Sequence, residues 1–508
     1  MSKRQDDNDP CGRIVHDSKG LRTRTDGSWA SLPAEIRLTI LEEISRQKHR
    51  GWASCAAVCK EWQVFVEAKN FRRLTLQTSC LEEFKYMVVR QRGLVQYICL
   101  NIELPRYTCR SCQCTESGSW NSRHNSIMRD AMVKLYSALS TWEPAGRLVL
   151  EITTYSPSDS QHWFKHYRFG RENHCEGDFV QSQEATTGWH DPNHGWVNGQ
   201  QVEAPCASAI LRLFSPLCLI PPKNLPEVHA VTGLVIPRQG RRQIFPPTLR
   251  LLCERLPRLE SIVYEPWRVW RPPWKIMQDR ELASIVQDAL PSRTRTVSIF
   301  ENFSDQIALA LRNDTLYPSR IDTNPIADPI LVNAFASRSR DFEHFSISFM
   351  IDARQFFNSC RLSYTWHHLQ SLTLISSILT RTAPQNEIFT LLCDASLATL
   401  NMPRLERMVF WNSKQGEACA VIYHRENSHR RATLTWRGTW DLEFSHEVVE
   451  CWKRVTSDSS ILHIKNERVQ GVISFHGDAI HLLRLPSRVV DPVSLWQMRQ
   501  ESMMQTMT

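Results

Sequence analysis

LPRLESIVYEP (Leu256–Pro266) places a short apolar–polar alternation directly behind a helix-like stretch, Thr248–Leu256. The same phrasing returns in LQSLTLISS (Leu369–Ser377) and MPRLERMVFWN (Met402–Asn412). A period of two marks a strand, and a wider apolar spacing marks a helix. Read outward from these phrases, strands are expected at Arg73–Gln77, Leu94–Ile102, Arg147–Thr153, Val231–Ile236, Leu259–Tyr264, Thr296–Phe300, His344–Met350, Leu369–Ile375 and Leu405–Trp411. Helices are expected between them at Leu81–Arg90, Ile127–Trp142, Thr248–Leu256, Asp279–Leu290 and Asn386–Leu400. Strands that alternate with helices along a chain build an α/β fold with parallel strands.

The recurring phrases resemble leucine-rich repeats, which imply a curved α/β solenoid over residues 77–414. Their spacing is irregular, roughly twenty to fifty residues, and no consensus asparagine repeats. A compact α/β domain with insertions is the alternative. Beyond Gln415, Glu417–His424 and Arg430–Arg437 read as a hairpin and His446–Val455 as a helix, so residues 415–508 are expected to cap the sheet's open edge. Ser156–Pro205 is polar and rich in Gly, His, Ser and Gln, and reads as a mobile insertion.

With 508 residues, the chain is too long for one compact core. Its 42% hydrophobic and 22% charged content is that of a globular protein. A net charge of +8 is thin over that length. The pairs Arg241-Arg242 and Arg430-Arg431 read as solvated loop residues, so a nucleic-acid partner is not expected. Residues 1–27 are polar and read as a disordered tail without a secretory core. The greasiest later run, Ala207–Pro222, is interrupted by Arg212 and Pro216 and is too short for a bilayer. Sixteen scattered cysteines without a leader are expected to be reduced thiols. The expectation is an intracellular protein, in cytoplasm or nucleus, with no membrane partner.

SLPAEIRLTILEEI (Ser31–Ile44) carries more apolar surface than a lone helix needs. Pro33 and Glu35 suit a helix N-terminus. Leu32, Ile36, Ile40 and Ile44 follow one side, with Leu38 and Leu41 well away from them. The apolar arc spans about 240°, where a surface stripe needs about 100°. Trp52, Ala56, Val58, Cys59, Trp62, Phe65 and Val66 continue at near-helical spacing, so residues 28–76 are expected to form three short helices. Such a small unit cannot cover that arc alone.

These residues resemble the F-box: Leu32-Pro33, Glu35-Ile36, Ile40-Leu41, Val58-Cys59-Lys60 and Trp62, with the Phe71-Arg72-Arg73-Leu74 exit into a strand. The phrases WASLPAEIR, VCKEWQ, RQRGLVQYICLNIELP and YEPWR further resemble a large group of filamentous-fungal F-box proteins. Ser45 and Cys55 stand where that family more often has leucine. The resemblance implies that Leu32, Pro33, Ile36, Ile40, Leu41, Val58, Cys59 and Trp62 form or support the interface with a Skp-type adaptor, and through it with a cullin-RING ubiquitin ligase. It implies a non-catalytic substrate-recognition subunit that presents an unknown target protein on the solenoid. A scaffold that holds the adaptor without promoting ubiquitylation is the alternative.

Three further features carry possible chemistry. CRSCQC (Cys109–Cys114) has the Cys-x-x-Cys spacing of half a zinc site. The remaining ligands would have to come from Cys114, His124 or His174-Cys175, and reduced loop thiols are the expectation, with no metal and no cofactor. HEVVE (His446–Glu450) lacks the second histidine of a metalloprotease helix. EPWRVWRPPW (Glu265–Trp274) reads as a strand exit and loop, where Trp267, Arg268, Trp270 and Arg271 are residue types of binding hot spots. Packing over the solenoid is the competing role. No P-loop, dinucleotide fingerprint or nucleophile elbow occurs in the sequence.

Overall fold

The computed structural model describes residues 29–47, 51–167, 169, 194–198, 200–219, 225–312, 326–426, 431–456 and 461–506. The chain divides into two units, Met1–Asn70 and Phe71–Thr508. The expected tail at 1–27 lies outside the described residues.

Twelve strands form one sheet in the larger unit: β1 (Arg73–Gln77), β2 (Tyr97–Glu103), β3 (Val149–Tyr155), β4 (Gly233–Ile236), β5 (Ser261–Tyr264), β6 (Thr296–Phe300), β7 (His344–Asp352), β8 (Ser371–Ile375), β9 (Arg407–Lys414), β10 (Glu417–Glu426), β11 (Arg431–Gly438) and β12 (Ile461–Arg468). Each strand pairs with the next in chain order. Strands β1 to β9 are parallel, β10 runs against both neighbours, and β12 is parallel to β11. Gly416, at φ +77°, makes the tight β9–β10 turn that a Cβ would strain. All nine strands expected from the alternation are present, with ends shifted by a few residues at most. The chain is thus mixed α/β with a large, mostly parallel sheet.

Successive side chains point to opposite faces. One face, carrying Ile98, Leu100, Leu150, Leu234, Phe345, Leu372 and Phe410, shares the main apolar core with helices Gly118–Leu139, Pro246–Glu254, Pro329–Arg338 and Gln385–Thr399. The other carries Ser346, Ser348 and Thr373, polar yet buried. Part of this second face is covered by the C-terminal segment. Helices His476–Leu483 and Pro492–Thr506 share a separate apolar cluster with Val409, Trp411, Ala420 and Ile422. Between them, Ser371 Oγ meets Ser487 Oγ at 3.0 Å, and Arg407 donates to the Pro486 carbonyl at 3.4 Å.

The sheet's strand not expected from the sequence is β12, ILHIKNER, which forms its edge beyond the hairpin. Its residues are largely exposed, and its charged side chains suit an edge that must not recruit another strand. Two other expectations need correction. Prolines in EPWRVWRPPW do not keep the segment irregular: Pro272 starts helix Pro272–Ser284, because a proline in the first turn removes only an N–H that has no helical partner. Nor do the described parts of Ser156–Pro205 stand apart from the fold. They place Trp163, Phe164 and Tyr167 in a second core with Ile210, Leu213, Trp267 and Trp270. The remaining residues of that stretch, including His174-Cys175, lie outside the described set.

The smaller unit has two α-helices, Ala34–Arg46 and Lys60–Phe71, joined through a 3-10 segment at Trp52–Ala57 and preceded by a 3-10 turn at Trp29–Ser31. The expected middle helix is therefore a 3-10 segment. Leu41 and Val66 are its buried residues. Trp29 packs on Trp62 with ring centroids 5.3 Å apart, and Trp52 on Phe65 at 6.3 Å. Arg37 pairs with Glu61 at 3.1 Å, and Trp52 Nε1 donates to Asn70 Oδ1 at 2.8 Å.

Candidate functional site

The two short helices and the residues that lead into them leave apolar side chains in solvent. Leu32, Pro33, Ile36, Leu38, Val58, Cys59 and Val64 are exposed, Ile36 by 48% and Val58 by 63%. Ile40 and Trp62 are half-buried. Leu41 is only 2% exposed and is an interior residue. Of the eight residues expected at an adaptor interface, five are exposed, two are half-buried and one is interior. These exposed apolar groups are concentrated on a unit of about seventy residues.

The tryptophan–arginine cluster is placed differently from a surface hot spot. Trp267, Arg268 and Trp270 are buried, and Arg271 is half-buried. Trp267 Nε1 donates to the Arg238 carbonyl at 2.8 Å, and its ring faces the guanidiniums of Arg238 at 5.0 Å and Arg241 at 4.3 Å. Arg268 pairs with Glu301 at 3.0 Å and lies over Phe303. Packing is thus the role the geometry gives to Trp267 and Arg268. Arg268 also lines an apolar cleft of about 280 Å³, together with Trp270, Arg271, the exposed Trp274, Phe214, Phe245 and Met277, whereas Trp267 does not.

Arg241-Arg242 is not a solvated pair. Both side chains are buried, Arg241 against Glu501 and Arg242 against Glu116. Arg238 meets the same Glu501 at 2.8 Å. Charges this deep persist only when paired, and sequence offered no sign that partners would arrive from residues 116 and 501. Next to this network, Glu265 accepts from the Asp491 main-chain N–H at 2.6 Å and from Arg238 N–H at 3.1 Å. Burial and the Asp491 carboxylate push its pKa up to about 7.

CRSCQC forms a short helical turn, Cys109–Cys112, after β2. Its thiols meet two histidines from distant sequence. Cys109 Sγ lies 3.6 Å from His162 Nδ1, and Cys112 Sγ lies 3.1 Å from His194 Nε2. The ligand atoms of Cys109, His162 and His194 all fall within 4.8 Å of one another. Adjacent parallel strands bring the loops together: β2 and β3 end side by side, and the chains leaving them stay joined. Leu104 N–H donates to the Tyr155 carbonyl at 2.8 Å, Ser156 Oγ to the Pro105 carbonyl at 2.9 Å, and Tyr107 OH to Asp159 at 2.9 Å. Burial pushes the Cys112 thiol up to about 11 and holds both imidazoles below their ordinary range.

The ligands that sequence had proposed beside the Cys-x-x-Cys pair are elsewhere. Cys114 is exposed and His124 bonds Glu116 at 3.2 Å. His162 and His194 escaped notice because they lie 53 and 82 residues from their cysteines. The available signal was topological: neighbouring parallel strands must release their following loops at the same edge. His446 of HEVVE is exposed and lies 3.9 Å from Glu450. No helix among the described residues is long and apolar enough to cross a membrane.

Residues 289–491 match the model of a family of unknown function, DUF6546. That span runs from just before β6 to the C-terminal crossing segment, and leaves the smaller helical unit and the cysteine–histidine group outside it. No curated protein matches the sequence.

Proposed function

We propose that the chain is the substrate-recognition subunit of a Skp-cullin-F-box type ubiquitin ligase, with residues 28–76 as its F-box. The observation that carries the reading is the exposed apolar face of the small helical unit, Leu32, Pro33, Ile36 and Val58, on the positions where the F-box resemblance puts the Skp-type adaptor. Burying a side chain such as Ile36 contributes roughly 1.5–3 kcal/mol, so a few of these residues are enough for an interface core. Leu41 is an interior residue.

The larger unit presents the target. Its strands pair strictly in chain order, which supports an irregular leucine-rich-repeat-like solenoid. Because the C-terminal segment occupies part of the strand face, the target is received at the apolar cleft edged by Trp270, Arg271 and Trp274. The subunit performs no bond chemistry of its own. It raises the effective concentration of target lysines near charged ubiquitin, making transfer quasi-intramolecular.

The test is co-purification from cells with the proteasome inhibited, comparing wild type with Ile36→Asp and Val58→Asp together. Each variant puts a carboxylate where adaptor contact would desolvate it, at a cost of roughly 2 kcal/mol or more, so the pair should lose adaptor at least about a hundredfold. Both positions are exposed, so folding is retained. Partners captured by the wild type should also persist longer in cells expressing the double variant. Adaptor retained at wild-type level rejects the F-box reading. Adaptor binding without any change in partner turnover assigns a scaffold instead of a ligase receptor.

A further inference from the structure

We propose that Cys109, Cys112, His162 and His194 form a structural zinc site. A tetrahedral zinc with Zn–S of about 2.3 Å and Zn–N of about 2.0–2.1 Å separates a sulfur from a nitrogen ligand by about 3.6 Å. The Cys109–His162 separation is 3.6 Å and the Cys112–His194 separation is 3.1 Å. Each pair thus stands near metal-bridged spacing; Cys109, His162 and His194 lie within 4.8 Å of one another, and Cys112 joins that group through His194 and must shift inward to become the fourth ligand. Two sulfurs and two imidazole nitrogens in tetrahedral array are a donor set that selects zinc. Two thiolates and two neutral imidazoles neutralise the dication, which suits a site where Cys112, His162 and His194 are all buried.

The surroundings are those of a metal centre. A ligating histidine is oriented by a hydrogen bond at its other ring nitrogen. His194 Nδ1 lies 3.5 Å from the Gln113 side-chain amide. Aromatic rings fix both imidazoles: His162 stacks on Tyr107 with centroids 5.4 Å apart, and His194 on Trp163 at 5.3 Å. Cys114, two residues beyond the pair, is exposed and stands outside the set.

The site would fasten three segments that lack a shared strand: the turn after β2, the chain after β3, and the short ribbon Trp196–Val197 with Gln200–Gln201. Ligands 53 and 82 residues apart enclose long loops, so their closure by a metal restrains the unfolded chain strongly. This role is independent of adaptor binding, which lies in other residues.

The experiment uses the full chain, expressed with zinc supplied and purified without chelator. Plasma mass spectrometry should find about one zinc per chain. Replacement by cobalt should give the strong visible bands of a tetrahedral site together with thiolate-to-cobalt charge transfer. Cys109→Ser with Cys112→Ser should lower metal content at least about tenfold, while Cys114→Ser keeps it. Should the double variant fail to fold, the cobalt spectrum of the wild type decides alone. Zinc far below one per chain in the wild type, or cobalt bound without thiolate charge transfer, overturns the proposal. So does equal retention of zinc in a folded double variant.

Discussion

Trp267→Ala separates packing from recognition in the tryptophan–arginine cluster. Trp267 is 2% exposed, and truncating a buried tryptophan costs about 3–5 kcal/mol. The change also removes the 2.8 Å hydrogen bond to the Arg238 carbonyl, which would stay buried without that donor, adding about 1 kcal/mol or more. It strips an aromatic face from two buried guanidiniums, those of Arg238 and Arg241. Together these losses reach roughly 4–6 kcal/mol, a large part of the stability of an ordinary domain. Trp274 is the control on the same segment. It is 53% exposed, so Trp274→Ala should change stability by no more than about 0.5 kcal/mol while altering the cleft. Thermal unfolding followed by near-ultraviolet circular dichroism should show Trp267→Ala melting roughly 5–10 °C lower, and Trp274→Ala close to wild type. A Trp267→Ala protein that melts like the wild type but loses captured partners would refute the packing argument. Partner loss confined to a stable Trp274→Ala protein would place the target at the cleft.

Other outcomes follow from the buried charges and the helical unit. Leu41→Asp should unfold the small unit, whereas Ile36→Asp should leave its helical circular dichroism intact; equal behaviour would contradict the division between core and docking face. Glu501→Ala leaves Arg238 and Arg241 buried without their shared carboxylate, so it should destabilise by roughly 3–5 kcal/mol, read by denaturant titration. Glu265 holds its proton in the folded state up to about pH 7, above the 4.5 of an ordinary glutamate, so its contribution to stability is complete below pH 4.5 and is lost as pH rises through about 7. The difference amounts to on the order of 3 kcal/mol, and Glu265→Gln should flatten the fall of melting temperature over that window. An unchanged pH profile in the variant would show that another group sets it.

Strand positions, the hairpin pairing of β10 with β11, and the helix at His446–Val455 were legible in the chain because each is written locally. A strand carries its period of two, and a turn carries its own residues. The exposed β12 was not legible, since an edge strand open to solvent has little apolar alternation to display. The Cys-x-x-Cys pair of the cysteine–histidine group and the surplus apolar face of Ser31–Ile44 were also visible as patterns of neighbours in sequence.

What remained hidden depends on pairing across long separations. Arg241 and Arg242 look like surface residues until Glu501 and Glu116 arrive beside them. EPWRVWRPPW looks like an exposed hot spot until residues 163–167 and 207–213 close over Trp267 and Trp270. Histidines 162 and 194 acquire meaning only when the parallel pairing of β2 and β3 sets their loops side by side. Local propensity acts between residues a few positions apart, so sequence alone determined the elements. Burial, charge compensation and the convergence of ligands arise between residues tens to hundreds of positions apart, and only the tertiary structure decided them.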